Sequence, residues 1–300
     1  MLRDRSIAPQ ALPFLSGMHR LAGMIAIRER GEGYGQISRK KAVVLGASSS
    51  DNMGQHIARR FLREGAEVMV SGRKAEVLQA FADETGCYWK ACDITRKQDV
   101  HALADAAVAT MGKVDIVVNA TGWGLLKPFL KTTREELEAM TALQFIGPFQ
   151  FFQAIIPAMT RGGSLIQISS ATAKIMLNDH AAYMGCKAGT DHVVRCIANE
   201  FGDRGIRANS ISPGLTDTPM TADAKQVPGI FEAFLAGYPL GRIGTADDIA
   251  AAAVWLSSDE CFMTGENLQV NGGLTLRRNP TQEEISASIT RHQRGRPRTD

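Results

Sequence analysis

Short apolar runs alternate with helical stretches along the chain from Lys40 onward. Ala42 to Leu45 is an unbroken apolar run that meets a turn rich in serine and glycine. The helical stretch Gln55 to Arg63 then leads into a second run, Glu67 to Val70, which ends at Ser71, Gly72 and Arg73. A strand, a helix and a strand within about 30 residues is the length of one βαβ unit. Further runs stand at Asp115 to Val118, Ser164 to Ile168, Arg207 to Ile211 and Asn267 to Val270, with helical segments between them. Strands that alternate with helices predict an α/β fold, a doubly wound parallel sheet with helices on both faces.

Residues 38–276 contain no linker rich in proline and glycine and no repeat of solenoid period, so one domain is expected there. Residues 1–37 hold two prolines, five glycines and no sustained period, and are read as an N-terminal extension, loose or packed on a partner, in preference to a transit peptide. Residues 277–300 are read as a basic C-terminal tail. The net charge of +3 is uneven: the ends are basic, while residues 42–276 are mildly acidic. That is not the footprint of a phosphate-backbone binder. Nucleic acid is therefore not expected as a partner, although Arg294-Gly295-Arg296-Pro297-Arg298 matches the core of an AT-hook; a solvated tail is the preferred reading.

Composition adds little beyond exclusions. The runs at 42–45 and 250–256 fall short of the roughly 18 to 20 apolar residues of a membrane span, so no membrane association is expected. Five cysteines form an odd set without a C-x-x-C pair, and the six histidines are scattered. Neither a disulfide framework nor a metal site is indicated, and a cytoplasmic location fits best.

The first run passes through Gly46-Ala47-Ser48-Ser49-Ser50-Asp51-Asn52-Met53-Gly54 into a helix. Glycines at such a turn let backbone approach a pyrophosphate, which the free N–H groups and positive end of the helix then attract. At the end of the second strand an acid would bind the ribose of NAD; here Gly72 is followed by Arg73, suited to a 2′-phosphate. NADP(H) is expected in preference to NAD(H).

These residues resemble the short-chain dehydrogenase/reductase family over residues 40 to about 275. Its motifs occur in order: the glycine turn, Asp93 in Cys92-Asp93-Ile94, Asn119-Ala120-Thr121-Gly122, Ser169-Ser170, and Tyr183-Met184-Gly185-Cys186-Lys187 as a Tyr-x-x-x-Lys signature. Ser212-Pro213-Gly214, Thr218-Pro219-Met220 and Val270-Asn271-Gly272-Gly273 follow. The resemblance implies a single-domain Rossmann-type fold. It implies that a dinucleotide is held by Gly46, Ser48, Ser49, Asn52, Met53, Gly54, Arg73, Asp93, Ile94, Asn119, Ala120, Gly122, Tyr183, Lys187, Pro213, Gly214, Thr216 and Thr218. It also implies a lid at about 218–241 and pairing of helices near 135–159 and 183–201 in a homo-oligomer, dimer or tetramer.

Three departures stand out. The glycine turn carries about two extra residues near Ser50 and Asp51, which puts Asn52 in the place of the middle glycine, where a tolerance for positive φ helps. A longer turn resembles the divergent enoyl reductase branch, but the spacing of Tyr183 and Lys187 argues against that branch. Ala120 replaces an asparagine, and Gln144 stands where the family's catalytic tetrad has asparagine.

Tyr183 and Lys187 are four apart on an expected helix and so share a face. A neighbouring ammonium favours the phenolate and makes Tyr183 a usable general acid or base. Ser170 is placed to hold the substrate oxygen as charge develops on it. Ser170, Tyr183, Lys187 and Gln144 are thus the expected catalytic set. His180 is read as a loop residue in preference to one that lines the pocket, and Phe231, Phe234 and Leu235, spaced for one helical face, either cover an apolar substrate or pack the lid. The expected function is an NADPH-dependent reductase of a ketone or 3-oxoacyl-type carbonyl, or the reverse oxidation of an alcohol. The alternatives are an NAD-dependent alcohol dehydrogenase and a weakened dinucleotide-binding regulator.

Overall fold

A computed structural model describes residues 35–294. Among these, seven strands form one parallel sheet: β1 (Lys41–Leu45), β2 (Glu67–Gly72), β3 (Tyr88–Ala91), β4 (Ile116–Asn119), β5 (Gly163–Ile168), β6 (Ile206–Pro213) and β7 (Asn267–Val270). Their spatial order is β3-β2-β1-β4-β5-β6-β7. Ala42 pairs with Val68 on one side and Ile116 on the other, and Leu45 with Ser71 and Asn119. The chain therefore runs outward in one direction from β1 and in the other from β4. Beyond the carboxyl ends of these two strands lies the crevice in which such sheets bind ligands.

Helices α1 (Met53–Arg63), α2 (Ala75–Thr85), α3 (Lys97–Met111), α4 (Arg134–Thr141), α5 (Gly147–Ile155) and α6 (Ala181–Glu200) alternate with the strands. They are followed by α7 (Ala222–Gln226), α8 (Ile230–Leu235), α9 (Ala246–Ser257) and α10 (Gln282–Arg294). Strand β1 shows why the sheet is covered on both faces. Ala42 and Val44 join a core cluster with Ile57 and Phe61 of α1 and Ile249 and Ala253 of α9. Val43 and Leu45 join another with Leu103 of α3, Phe151 of α5 and Val194 of α6. Each such fully buried aliphatic or aromatic side chain contributes about 1.5–3 kcal/mol.

Four features depart from the sequence expectations. Strand β3 has no apolar pattern, because Tyr-Trp-Lys-Ala lies at the sheet edge and is mostly half-exposed. Ile37, assigned to the extension, is fully buried in the core; one apolar residue beside a serine carries no periodic signal. Residues 1–34, the bulk of that extension, and residues 295–300 of the AT-hook-like segment lie outside the described residues.

The helical run 134–158 is long and apolar enough to cross a membrane by length and composition, which the runs at 42–45 and 250–256 are not. Its Phe151, Phe152 and Ile155 are buried in the same cluster as Val100 and Leu103 of α3. The fourth departure is α10, which the solvated-tail reading did not foresee. Thr281 and Glu284 cap it reciprocally, a Thr-x-x-Glu signal that was present in the sequence. The helix packs on α8, where Gly229 (φ 101) approaches so closely that a Cβ would lie 2.6 Å from the Ile289 Cα.

Candidate active site

The glycine turn closes on itself before it opens to a ligand. Gly46 (φ 112) sits where a Cβ would meet the Ala120 carbonyl carbon at 2.5 Å, and a Cβ on Gly54 would meet the Gly46 oxygen at 2.5 Å. Neither position admits a side chain. Asn52 does not adopt the left-handed backbone expected of a glycine replacement: its φ is −78, and it caps α1 by accepting the Gln55 N–H. Asp51 takes the positive φ, 53, in its place. The buried Gln55, unnoticed in the sequence, braces the extra residues by donating to Ala47 O (3.1 Å) and accepting from Asp51 N (3.0 Å).

The N–H groups of Ser48, Met53 and Gly54 find no acceptor among the described residues. Orphan donors at a helix N-terminus, facing the crevice between β1 and β4, suit the phosphates of a dinucleotide. Arg73 is exposed at the end of β2 and makes no hydrogen bond among the described residues. Burial acts to raise the Asp93 carboxyl pKa, but the Thr95 hydroxyl and amide and the charge of Arg73 together hold it below its usual range. Asn119 is fully buried, donates to Gln167 Oε1 (2.9 Å) and accepts from Thr121. Ile94 is buried at the end of β3. Pro213 ends β6, and Gly214, Thr216 and Thr218 follow it, with Thr216 donating to Gly214 O at 3.0 Å. These residues line the carboxyl edge of the sheet, and they fit a dinucleotide.

The proton-handling residues converge one strand further along. Ser170 leaves the end of β5, and its hydroxyl lies 2.9 Å from that of Thr172 and accepts the Thr172 N–H at 3.2 Å. Tyr183 and Lys187 share a face of α6, with Lys187 Nζ 5.5 Å from the centre of the Tyr183 ring. Burial pushes the Tyr183 hydroxyl up to about 12, opposed by Ser170; the lowering expected from the Lys187 ammonium is not seen, because Nζ lies over the ring and is turned to Ile168 O. Burial also pulls Lys187 down to about 8, while the charge of Asp191 acts to raise it. Lys187 Nζ donates to Ile168 O at 2.8 Å, an oxygen that also accepts from Gln167 Nε2.

Asp191, like Gln55, was missed by sequence reasoning. It follows Lys187 by one helical turn, a spacing that was legible as an i,i+4 pair. Its Oδ2 accepts from Ser169 (2.7 Å) and Asn267 (2.6 Å), while the buried Oδ1 has the otherwise unpartnered Ser210 hydroxyl as its neighbour.

Gln144 occupies a π-helical turn, Ala142–Ile146, between α4 and α5. The cause is Pro148, which has no N–H to offer the carbonyl four residues back. The Gln144 carbonyl thus leaves the helix ladder and accepts the Thr190 hydroxyl at 2.6 Å. Its side chain is buried and donates to Trp123 O at 3.0 Å. A Cβ on Gly122 would lie 3.7 Å from Gln144 Nε2 and 4.0 Å from Lys187 Nζ, so the amide and the ammonium flank one backbone position. Within residues 218–241, Phe234 packs on a small cluster with Ala171, Tyr238 and Leu274.

The family model described as enoyl-(acyl carrier protein) reductase matches residues 46–275. The chain is 33% identical over 250 residues to D-threitol dehydrogenase of Mycolicibacterium smegmatis, covering 81% of this chain and 95% of that protein. It is 34% identical over 253 residues to 3beta-hydroxysteroid dehydrogenase 1 of Eggerthella lenta, covering 81% and 96%. Among solved structures it resembles a short-chain type dehydrogenase/reductase from Mycobacterium ulcerans, with a TM-score of 0.79, 26% identity, and coverage of 87% of this chain and 100% of that one.

Proposed function

Because the chain belongs to the short-chain dehydrogenase/reductase family, and is thus an NAD(P)-dependent oxidoreductase acting between CH–OH and C=O groups, we propose that it is an NADPH-dependent reductase of a ketone or 3-oxoacyl-type carbonyl, reversible as an alcohol dehydrogenase. The observation that carries this reading is the convergence of Ser170, Tyr183 and Lys187 at the carboxyl edge of the sheet, beside the open N-terminus of α1. When bound, the nicotinamide supplies or accepts the hydride. Tyr183 gives its phenolic proton to the substrate oxygen in reduction and takes it back in oxidation. Lys187 stabilises the phenolate through its charge, and the Ser170 hydroxyl donates to the same substrate oxygen. An intact set of these three groups weighs against a weakened regulator.

The preference for NADPH rests on Arg73, a guanidinium with no hydrogen bond among the described residues, at the strand end that faces the adenosine side of the crevice. Arg73→Ala is expected to reduce the preference for NADPH over NADH by about 1.5–3 kcal/mol, the worth of hydrogen bonds to a charged group. Titration of both cofactors by fluorescence, with a carbonyl panel assayed alongside, tests this. Equal affinities in the unmodified protein would mean that the NAD-dependent alternative holds.

In this reading Gln144 positions the site through two bonds: its carbonyl holds Thr190 of α6, and its amide holds Trp123. Gln144→Ala keeps the first and removes the second, so turnover falls while NADPH affinity stays nearly constant. Unchanged turnover across the pH range would reduce Gln144 to a packing residue.

Members of this family are commonly oligomeric, and Leu137, Ile146 and Phe149 stand exposed on the helical run 134–155. We assign this face to a contact between copies, in a dimer or tetramer. A monomeric mass at micromolar concentration would refute it. Five cysteines, none of them paired, support a reducing, cytoplasmic location.

A further inference from the structure

His180 stands at the mouth of the site, immediately before α6. The preceding residue, Asp179, holds a left-handed backbone (φ 59), and its carbonyl accepts the Lys127 N–H at 2.6 Å. The loop after Ser170 is thereby clamped to the loop after Asn119. On that clamp the His180 ring lies against the Tyr183 ring, with centres 4.5 Å apart and planes tilted by 36°. His180 Nδ1 is 2.8 Å from Leu125 O. A carbonyl oxygen only accepts, so Nδ1 carries the proton, and in neutral imidazole Nε2 then presents a lone pair. Nε2 has no partner among the described residues and is not among the sealed, unpartnered polar atoms, so it is open to an incoming group. Burial holds the imidazole below its ordinary pKa, which keeps this lone pair free.

Apolar side chains stand on the neighbouring segments. Trp123, Met176 and Met220 are exposed on the three segments that bound the mouth, and Met220 Cε would lie 3.6 Å from a Cβ on Gly122. An acceptor fixed in contact with the general acid/base, with exposed apolar side chains on the adjoining segments, selects for one extra hydroxyl on a largely hydrocarbon skeleton. A second carbonyl at that point would meet a lone pair and be disfavoured.

We propose that His180 is a specificity-determining residue whose Nε2 accepts a hydrogen bond from a second substrate hydroxyl, so that the substrates are vicinal diols and the corresponding hydroxy ketones on a largely apolar skeleton. This rests on the reading of Tyr183 as acid/base. Nothing is added to the redox balance: the hydroxyl bound by His180 is neither oxidised nor deprotonated.

The test uses matched alcohols that differ by one hydroxyl: butan-2-ol against butane-2,3-diol, and cyclohexanol against trans-cyclohexane-1,2-diol, each with NADP+ and NAD+. The unmodified enzyme is expected to favour the diol in kcat/KM by roughly tenfold or more, the effect of one buried hydrogen bond. His180→Ala brings that ratio towards one. His180→Gln, which restores an acceptor, recovers part of it, and neither variant changes NADPH affinity. A ratio near one in the unmodified enzyme, or one untouched by His180→Ala, overturns the proposal. Tyr183→Phe separates the two readings: if it is inactive on both members of a pair while the ratio is flat, only the role of His180 fails. If it remains active, or if none of the four alcohols is oxidised by the unmodified enzyme, both fail.

Discussion

Tyr183→Phe is expected to lower kcat by roughly 10²- to 10⁴-fold, the range a positioned general acid or base contributes, while NADPH affinity stays within about twofold. The substitution removes one oxygen and little else. The ring still packs against His180, and Lys187 still reaches Ile168 O. What is lost is the hydroxyl that faces Ser170, on the ring beside the buried Lys187 ammonium, and with it the proton transfer. Single-turnover reduction of a ketone by bound NADPH, compared with fluorescence titration of the same variant, separates chemistry from binding. A variant that kept a tenth of the wild-type rate would move the acid/base role to another group.

The second large effect joins catalysis to stability. Lys187→Met is expected to cut turnover by at least 10²-fold, because a neutral thioether cannot stabilise the phenolate. The same change is expected to make the folded protein more stable at pH 7, by about 1–3 kcal/mol. Burial pulls Lys187 from its ordinary 10.5 down to about 8, so folding with the ammonium in place carries a penalty. The Ile168 carbonyl, which the lysine would leave, retains its bond from Gln167 Nε2. Asp191 loses a favourable neighbour, which trims the gain.

The sign with pH follows from proton counts. Below pH 8 the lysine is charged in both folded and unfolded states, and the penalty is fully present. Between about 8 and 10.5 the unfolded state holds the proton that the folded state has released, so wild-type stability from this group rises with pH. Above 10.5 the penalty is gone. The advantage of the methionine variant should therefore be greatest at neutral pH and shrink across that window in denaturant melts. An advantage independent of pH would mean that packing, and not charge burial, is responsible.

A functional enzyme that carries such a penalty is consistent with a site built for chemistry at the expense of stability. Gln144 belongs to the same pattern. Pro148 breaks the helix ladder at that carbonyl, and the fold answers with the hydroxyl of Thr190, 46 residues away, which ties the π-helical turn to the helix bearing Tyr183 and Lys187.

Local pattern determined much of this protein. The apolar runs located the five interior strands, which are covered on both faces and so rich in apolar residues, and the edge strand β7, which keeps Leu268 and Val270. The edge strand β3 escaped because it is not so buried. The order of the glycine turn, Asn119, Ser170, Tyr183 and Lys187 was written in the chain, and helical spacing alone put the last two on one face. Other features required the packed molecule. Lys187 is pulled down to about 8 because the packed site buries it, and the Asp191 carboxylate is held by Ser169, just past β5, and Asn267 of β7, residues 22 and 76 positions away. The tautomer of His180 is set by a carbonyl 55 residues earlier in the chain. Helix α10 packs on α8 through a close backbone approach at Gly229 that no side-chain pattern encodes. Periodicity records which face of an element is dry; which group stands opposite, and how much water remains between them, is decided when distant segments meet.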